Sequence, residues 1–248
     1  MFRVVEPAVL YFGTQVVLIN TMNKDGSTNI AANSSVWWLG WTCMLGIDAT
    51  SKTTENLLAN GECVLNLPGF ENADLVDRVA LTTGCSKVPA HKKILGYRSV
   101  KDKFTLAEAS ALASDRVRAP RIAECPVQLE ARVAKVHTIG AGHKDKPLPT
   151  KAFELNIERV HVNEKLIMEG SHSKIDPDRW NPLMMNFREL YGLTSKARSS
   201  KLAAGTDAIY APWRLGKAGR WLSARMAKKI ERQKLRAGVA KNTEVCND

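Results

Sequence analysis

Ser27-Thr-Asn-Ile-Ala-Ala-Asn-Ser-Ser35 and Ser51-Lys-Thr-Thr-Glu-Asn56 are the stretches whose reading decides the fold. Two clusters of small hydroxyl and amide side chains flank one apolar run. Each cluster can present backbone N–H groups and hydroxyls to an anion. Asn29 to Ser35 also has the small side chains that let a backbone lie close to a flat ring. Ser51-Lys52-Thr53-Thr54 stands just ahead of a short helix expected over Thr53 to Asn60, with Gly61 placed to end it. A helix start with hydroxyls and one cation is a phosphate site in outline, although Ser and Thr also serve as ordinary N-caps. The capping box is imperfect, because Glu55 falls four residues after Ser51.

Around these clusters the chain reads as strands. Thr14 to Met22 is an apolar run rich in Val and Ile. Asn23-Lys-Asp-Gly26 is a hairpin turn, and Ser27 to Ser34 returns as its partner. Trp41 to Ile47 and Cys63 to Leu67 read as buried strands, the second stopped by Pro68. Asn72 to Leu81 suits a helix with Leu75, Val76 and Val79 on one face. Residues 82 to 120 are loop-rich, punctuated by Gly84, Pro89, Gly96 and Pro120, and such an excursion is expected to cover a site or an interface. Two long strands follow. Val127, Leu129, Ala131 and Val133 alternate with Gln128, Glu130 and Arg132; Phe153, Leu155 and Ile157 alternate with Glu154, Asn156 and Glu158. That alternation predicts a sheet with one wet face. Both patterns slip phase, at Val136 and Val160, as bulges or barrel bends do. The loop between them, Gly140 to Thr150, is polar. Many strands and few helices predict a barrel or sandwich and exclude a doubly wound sheet.

The chain has 248 residues, enough for a full core. Its net charge is +11, but residues 214 to 248 hold ten Lys/Arg against three Asp/Glu, so +7 sits there and +4 in the rest. Leu222, Met226 and Ile230 recur at four-residue spacing beside Lys228, Lys229, Arg232 and Arg236, which predicts a basic amphipathic helix. Such a tail suits an anionic partner, a nucleic acid or a membrane surface, or else packs on the fold. The five cysteines show no C-x-x-C and no disulfide framework; Cys43 and Cys63, in apolar runs, are expected to be buried and inert. No apolar run approaches the roughly 20 residues of a membrane span. The first residues, Met1-Phe2-Arg3 with Glu6 and Pro7, lack the form of a signal peptide, so the expected location is cytoplasmic.

Trp37, Trp38 and Trp41 suit either a ring pocket or a core or interface. His172, Asp176 and Arg179 lie in one loop-like stretch. His-x3-Asp could be a metal pair, yet no third ligand stands at a telling spacing, so no metal is expected. The remaining readings are a hydrogen bond to cofactor or substrate and a solvated loop contact. Gly140-Ala-Gly142 lacks the third glycine of a dinucleotide fingerprint, and there is no Walker A lysine, no G-x-S-x-G and no H-E-x-x-H.

Taken in order, Tyr11-Phe-Gly-Thr-Gln-Val-Val-Leu-Ile19, Asn29-Ile-Ala-Ala-Asn-Ser-Ser35, Ser51-Lys-Thr-Thr-Glu-Asn-Leu57, Gly61-Glu-Cys-Val-Leu-Asn66, Ala123-Glu-Cys-Pro-Val-Gln-Leu-Glu130 and Ile175-Asp-Pro-Asp-Arg-Trp-Asn-Pro-Leu183 resemble the flavin reductase-like family over about residues 8 to 193. The resemblance implies a mainly β fold, an FMN-binding split barrel of Greek-key type with flanking helices. We expect that domain over 1–212 and the basic tail over 213–248. It further implies a homodimer with FMN near the subunit interface. Hydride would come from NADH or NADPH onto bound flavin, and electrons would pass to a small-molecule acceptor or a partner oxygenase. Carried onto this chain, Asn33, Ser34 and Ser35 contact the flavin ring or ribityl chain, with Asn29, Ala31 and Ala32 of the same strand in the cofactor site. N–H groups near Ala31 to Ser35 stabilise negative charge on the reduced ring. Ser51, Lys52, Thr53 and Thr54 surround the phosphate, and Asn56 supports that turn. His172 and Asp176 are the candidates near the open flavin face. Many relatives carry Asp-Thr where this chain has Thr53-Thr54, so one carboxylate is missing from the turn. The alternative is an FMN-binding electron carrier or sensor without nicotinamide turnover, its basic tail contacting an anionic partner.

Overall fold

The structure is a computed structural model that describes residues 2–6, 10–139 and 150–198. Its strands of three or more residues are β1 (Phe12–Gln15), β2 (Val17–Met22), β3 (Thr28–Asn33), β4 (Val36–Leu39), β5 (Thr42–Asp48), β6 (Glu62–Leu67), β7 (Val127–Thr138), β8 (Thr150–Val162), β9 (Met184–Asn186) and β10 (Glu189–Tyr191). The α-helices are α1 (Lys52–Asn60), α2 (Ala73–Ala80), α3 (Ala90–Ile94) and α4 (Lys103–Ala107). All of them fall in the first of two compact units, Met1–Ser195; the second is Lys196–Asp248. The expected basic helix around Leu222 to Arg236 lies outside the described residues.

One antiparallel sheet of seven strands, in the order β3-β2-β6-β7-β8-β5-β4, forms the body. The pairings of β2 with β6 and of β5 with β8 are the crossovers of a Greek key. Its two edges, β3 and β4, are consecutive in the chain and joined only by Ser34 and Ser35. That short link curls the sheet until its edges face each other without a full ladder between them, which is a split barrel. β4 is an edge strand of four residues that the sequence reading passed over.

The barrel interior is filled by Val17, Ile19, Cys43, Leu45, Cys63, Leu65, Phe153 and Leu155, all at most 1% exposed. Val16, Leu18 and Ile30 point to the opposite face, where α2 brings Leu75, Val76 and Val79 and α4 brings Ala107. The segment around β2 is therefore buried on both faces, and this is why Thr14 to Met22 reads as a continuous apolar run. Cys43 and Cys63 are buried as expected; burial pushes the Cys43 thiol up to about 12 and the Cys63 thiol higher still. No helix among the described residues is long and apolar enough to cross a membrane.

The expected wet face of β7 is not wet in its first half. Gln128 and Glu130 are buried, because the chain between Ala111 and Ile122 folds over them. Gln128 donates from Nε2 to the carbonyls of Ile122 (2.8 Å) and Cys125 (2.9 Å). Glu130 accepts from the N–H groups of Asp115, Arg116 and Val117 and bonds His161 Nε2 at 2.7 Å. Asn66 of β6 fastens the same chain, taking the Ile122 N–H at 2.8 Å while donating to the Leu18 carbonyl at 3.0 Å. Alternation reports which side chains share a face, and nothing of what later covers that face. The register shifts skip Glu158 and Ala134. Each bulge thus lies two residues before the slips read at Val160 and Val136.

Candidate functional site

α1 starts as its sequence dictates. Ser51 has extended backbone angles, and its hydroxyl accepts the Thr54 N–H at 3.1 Å. The N–H groups of Lys52 and Thr53 in the first turn then have no intrahelical acceptor. Gly61 ends the helix at φ 68°, a left-handed conformation that glycine adopts without strain, its N–H bonded to the Leu57 carbonyl. Asn56, expected to support this turn, anchors the helix to the β2 hairpin by donating to Thr21 Oγ1 (3.0 Å) and Asn23 Oδ1 (2.8 Å).

A cleft of about 600 Å³ opens beside this helix start. β3 and the link to β4 supply Asn29, Ala31, Ala32, Asn33, Ser34 and Ser35; the α1 turn supplies Ser51, Lys52 and Thr53. Nine residues expected at a cofactor thus share one cavity. The link is held rigidly against β5: Asn33 Nδ2 donates to the Gly46 carbonyl (2.9 Å), the Gly46 N–H to Ser35 O (2.8 Å), and the Ser35 N–H to Asn33 Oδ1 (2.7 Å). Thr54 and Asn56 are buried behind the cleft and do not line it; the Thr54 hydroxyl is spent on the Asp48 carbonyl at 2.8 Å. His172 and Asp176 do not line it either. Asp176 donates its N–H to the Leu166 carbonyl, and its carboxylate takes the Asp178 N–H and faces Arg179 at 3.3 Å. None of the three tryptophans lines the cleft: Trp38 packs on the barrel core, and Trp37 and Trp41 are exposed.

The opposite wall comes from the excursion after α2: Thr82, Thr83, Gly84, His91, Lys92, Tyr97 and Lys103. Thr82-Thr-Gly84 has the same small, hydroxyl-rich make-up as the first two clusters and could have been found by that signal. Lys103 carries no such signal, since it is recognised only by its burial in the folded chain. A side-chain Cβ at Gly84 would stand 2.5 Å from Asn29 Oδ1 and 3.0 Å from Lys52 Cγ, so only glycine lets the three walls meet here.

Four basic side chains and one acid set the electrostatics. Lys52 pairs with Glu55 at 2.7 Å. His91 and Lys92 face Asp48 at 3.0 and 3.4 Å. Burial opposes the charge on Asp48, but hydrogen bonds from the Thr50 N–H and hydroxyl, with His91 and Lys92, outweigh it and hold the carboxyl at about 2. Lys103 is 1% exposed and donates to the Ile30 carbonyl at 2.6 Å; burial pulls its ammonium down to about 8.

The cleft suits a phosphorylated ring compound on three counts. It has a helix start with free N–H groups. It has a backbone of small side chains at the other end. Between them, the buried amide oxygen Asn29 Oδ1 has no hydrogen-bond partner while its Nδ2 is held on Thr53 Oγ1 at 3.1 Å. An acceptor orphaned on a cavity wall is satisfied by something that enters the cavity. Among the described residues, Asp115, Glu130 and His161 bring donor atoms within 4.8 Å of one another; Glu130 already takes three backbone N–H groups and Asp115 faces Arg159.

Fold and cleft together define a split-barrel protein whose cleft could hold a flavin-like ligand. The chain belongs to the flavin reductase-like family: the model described as flavin reductase like domain matches residues 9–194. Membership makes it a flavin-related oxidoreductase. It is 35% identical over 192 residues to an uncharacterized protein, YdfE, of Bacillus subtilis (strain 168), covering 77% of this chain and 89% of that one. In fold it is similar to the flavoredoxin of Desulfovibrio vulgaris (Miyazaki F), with a TM-score of 0.65 at 17% identity over 83% of this chain and all of that one. It is similar also to nitrilotriacetate monooxygenase component B from Bacillus cereus, with a TM-score of 0.61 at 15% identity over 76% and 88% of the two chains.

Proposed function

We propose that the protein is a cytoplasmic, FMN-dependent oxidoreductase that takes a hydride from NADH or NADPH and passes the electrons to a small-molecule acceptor or a partner oxygenase. The observation that carries this reading is the meeting of Asn29–Ser35 with the α1 start in one cleft, closed by Gly84. A single helix N-terminus suits the one phosphate of a mononucleotide. Ser51, Lys52 and Thr53 would hold that phosphate, and Asn29, Ala31, Ala32, Asn33, Ser34 and Ser35 the ribityl chain and ring. Bound FMN supplies the hydride chemistry, so the protein has only to bind, orient and exclude water. The pinned Asn33–Ser35 link gives a rigid ring edge for that purpose. His172 and Asp176 would take part only if a second copy brought them to the flavin's open face. A homodimer is part of this reading. Trp37 and Leu39 on the edge strand β4, and Trp41 beside it, are exposed apolar side chains that a second copy would cover. We take 213–248 as a separate basic tail.

The test is the visible spectrum of the purified protein before and after anaerobic NADH, then NADPH. A flavin spectrum that bleaches supports the reductase and identifies the donor. A flavin spectrum that persists supports the carrier or sensor instead. Lys52→Glu should weaken FMN binding, and unchanged affinity would remove the phosphate assignment.

A further inference from the structure

Of the four basic side chains on the cleft, three already face a carboxylate: Lys52 faces Glu55, and His91 and Lys92 share Asp48. Lys103 does not. Its side chain is 1% exposed, its recorded partner is the neutral Ile30 carbonyl, and no carboxylate pairs with it among the described residues. An ammonium has three donors, and one such bond leaves most of a buried charge uncompensated. A lysine kept in that position on a cavity wall is expected to meet an anion that arrives with the ligand.

The surroundings say which end of the ligand. Lys103 sits on the carbonyl of Ile30, the residue after Asn29, and Asn29 is bonded to Thr53 in the first turn of α1. Gly84 abuts both Asn29 and Lys52, and all three line the cleft together with Lys103. These links run toward the α1 start and away from Ser34 and Ser35.

We propose that Lys103 is a binding residue for the phosphate of the ligand, a second cation beside Lys52 and the one whose charge no carboxylate offsets among the described residues. The proposal rests on the flavin mononucleotide reading and deepens it. Two parts of that ligand can be anionic: the phosphate ester, and the ring once it is reduced. Riboflavin has the ring without the phosphate and so separates them.

The experiment compares full-length wild type with Lys103→Met, titrating oxidised FMN and riboflavin by flavin fluorescence at pH 7. Lys103→Gln, which keeps a donor for the Ile30 carbonyl but no charge, serves if the Met variant does not fold. FMN affinity is expected to fall about tenfold to a hundredfold, the loss of one charge-assisted hydrogen bond. Riboflavin affinity is expected to stay within about twofold. Inorganic phosphate at millimolar concentration should raise the melting temperature of ligand-free wild type and leave that of the variant nearly unmoved. Equal losses for FMN and riboflavin would move Lys103 to the ring and overturn the proposal, as would unchanged FMN affinity. A wild type that binds no FMN would remove the functional reading; the phosphate-dependent melting shift then decides on Lys103 alone.

Discussion

Lys103 makes the ligand-free protein's stability depend on pH in an unusual direction. Its folded-state value is about 8 against an ordinary 10.5, with burial as the main cause, Cys85 raising it and Lys92 lowering it further. Below pH 8 the amine is charged in both folded and unfolded chains, so the whole penalty is present and pH-independent. The difference of about 2.5 pH units corresponds to about 3 kcal/mol. Between about 8 and 10.5 the folded chain has released the proton while the unfolded chain still holds it. The unfolded state binds more protons, so this residue's contribution to stability rises with pH and the penalty vanishes above about 10.5. Lys103→Met removes that titration and leaves the Ile30 carbonyl without its donor, a pH-independent loss of about 1 kcal/mol. The variant should therefore be more stable than wild type by about 2 kcal/mol at pH 7 and slightly less stable above pH 10.5. Urea denaturation of ligand-free protein at half-unit steps from pH 6.5 to 10.5 measures the difference. A difference that is flat across that range would show that Lys103 holds its proton normally, and the buried-cation reasoning would fail.

Other perturbations follow from particular contacts. Gly84→Ala puts a methyl group 2.5 Å from Asn29 Oδ1, against a side chain tied to Thr53, so stability should drop by about 1–3 kcal/mol in urea and FMN affinity should fall with it. Glu130→Gln replaces a carboxylate that takes three N–H groups by an amide with one acceptor, costing about 3 kcal/mol at neutral pH. Burial opposes the Glu130 charge, but the Asp115 N–H, His161 and the two further N–H groups outweigh it and lower the carboxyl below its ordinary value. Its stabilisation is therefore full above the ordinary glutamate value and is lost on acidification, so the gap between wild type and variant in urea should close progressively as pH falls below that ordinary value. Asp48→Asn frees His91 and Lys92 from their only shared carboxylate among the described residues; FMN should bind a few-fold tighter at low salt, and added salt should erase the gain.

What could be read in the chain and what could not divides along the range of the interactions. The α1 start, Gly61 and the Asn29–Ser35 segment were legible because a cap, a left-handed stop and a run of small residues are local signals, complete within a few positions. β2 was legible as buried because both of its faces are apolar. β4 was not, since Val36-Trp-Trp-Leu39 has no alternation to show and becomes a strand only by pairing with β5. Glu130 looked solvated because its own strand alternates; its burial is decided by Asp115 to Val117, thirteen to fifteen residues away. Lys103 was beyond reach, because its partner is 73 residues away and its meaning lies in the missing carboxylate.

The far wall of the cleft and the cover over β7 have a common source. The chain between Thr82 and Ile122 supplies the far wall of the cleft, including Gly84 and Lys103, and then supplies the N–H groups that saturate Glu130 and the carbonyl that receives Gln128. One excursion therefore covers the outer face of β7 and completes the cleft. Its loop-rich character fits this double role: a regular helix would spend its N–H groups on itself, whereas an irregular segment has them free for a buried carboxylate. The consequence is that the barrel alone, without this segment bound to Glu130 and Asn66, would keep the α1 turn and β3 but lose the wall that faces them. Anion binding in the cleft and the clamp at Glu130 are then parts of one cooperative unit. A defect at Glu130 should loosen the cleft even though Glu130 does not line it.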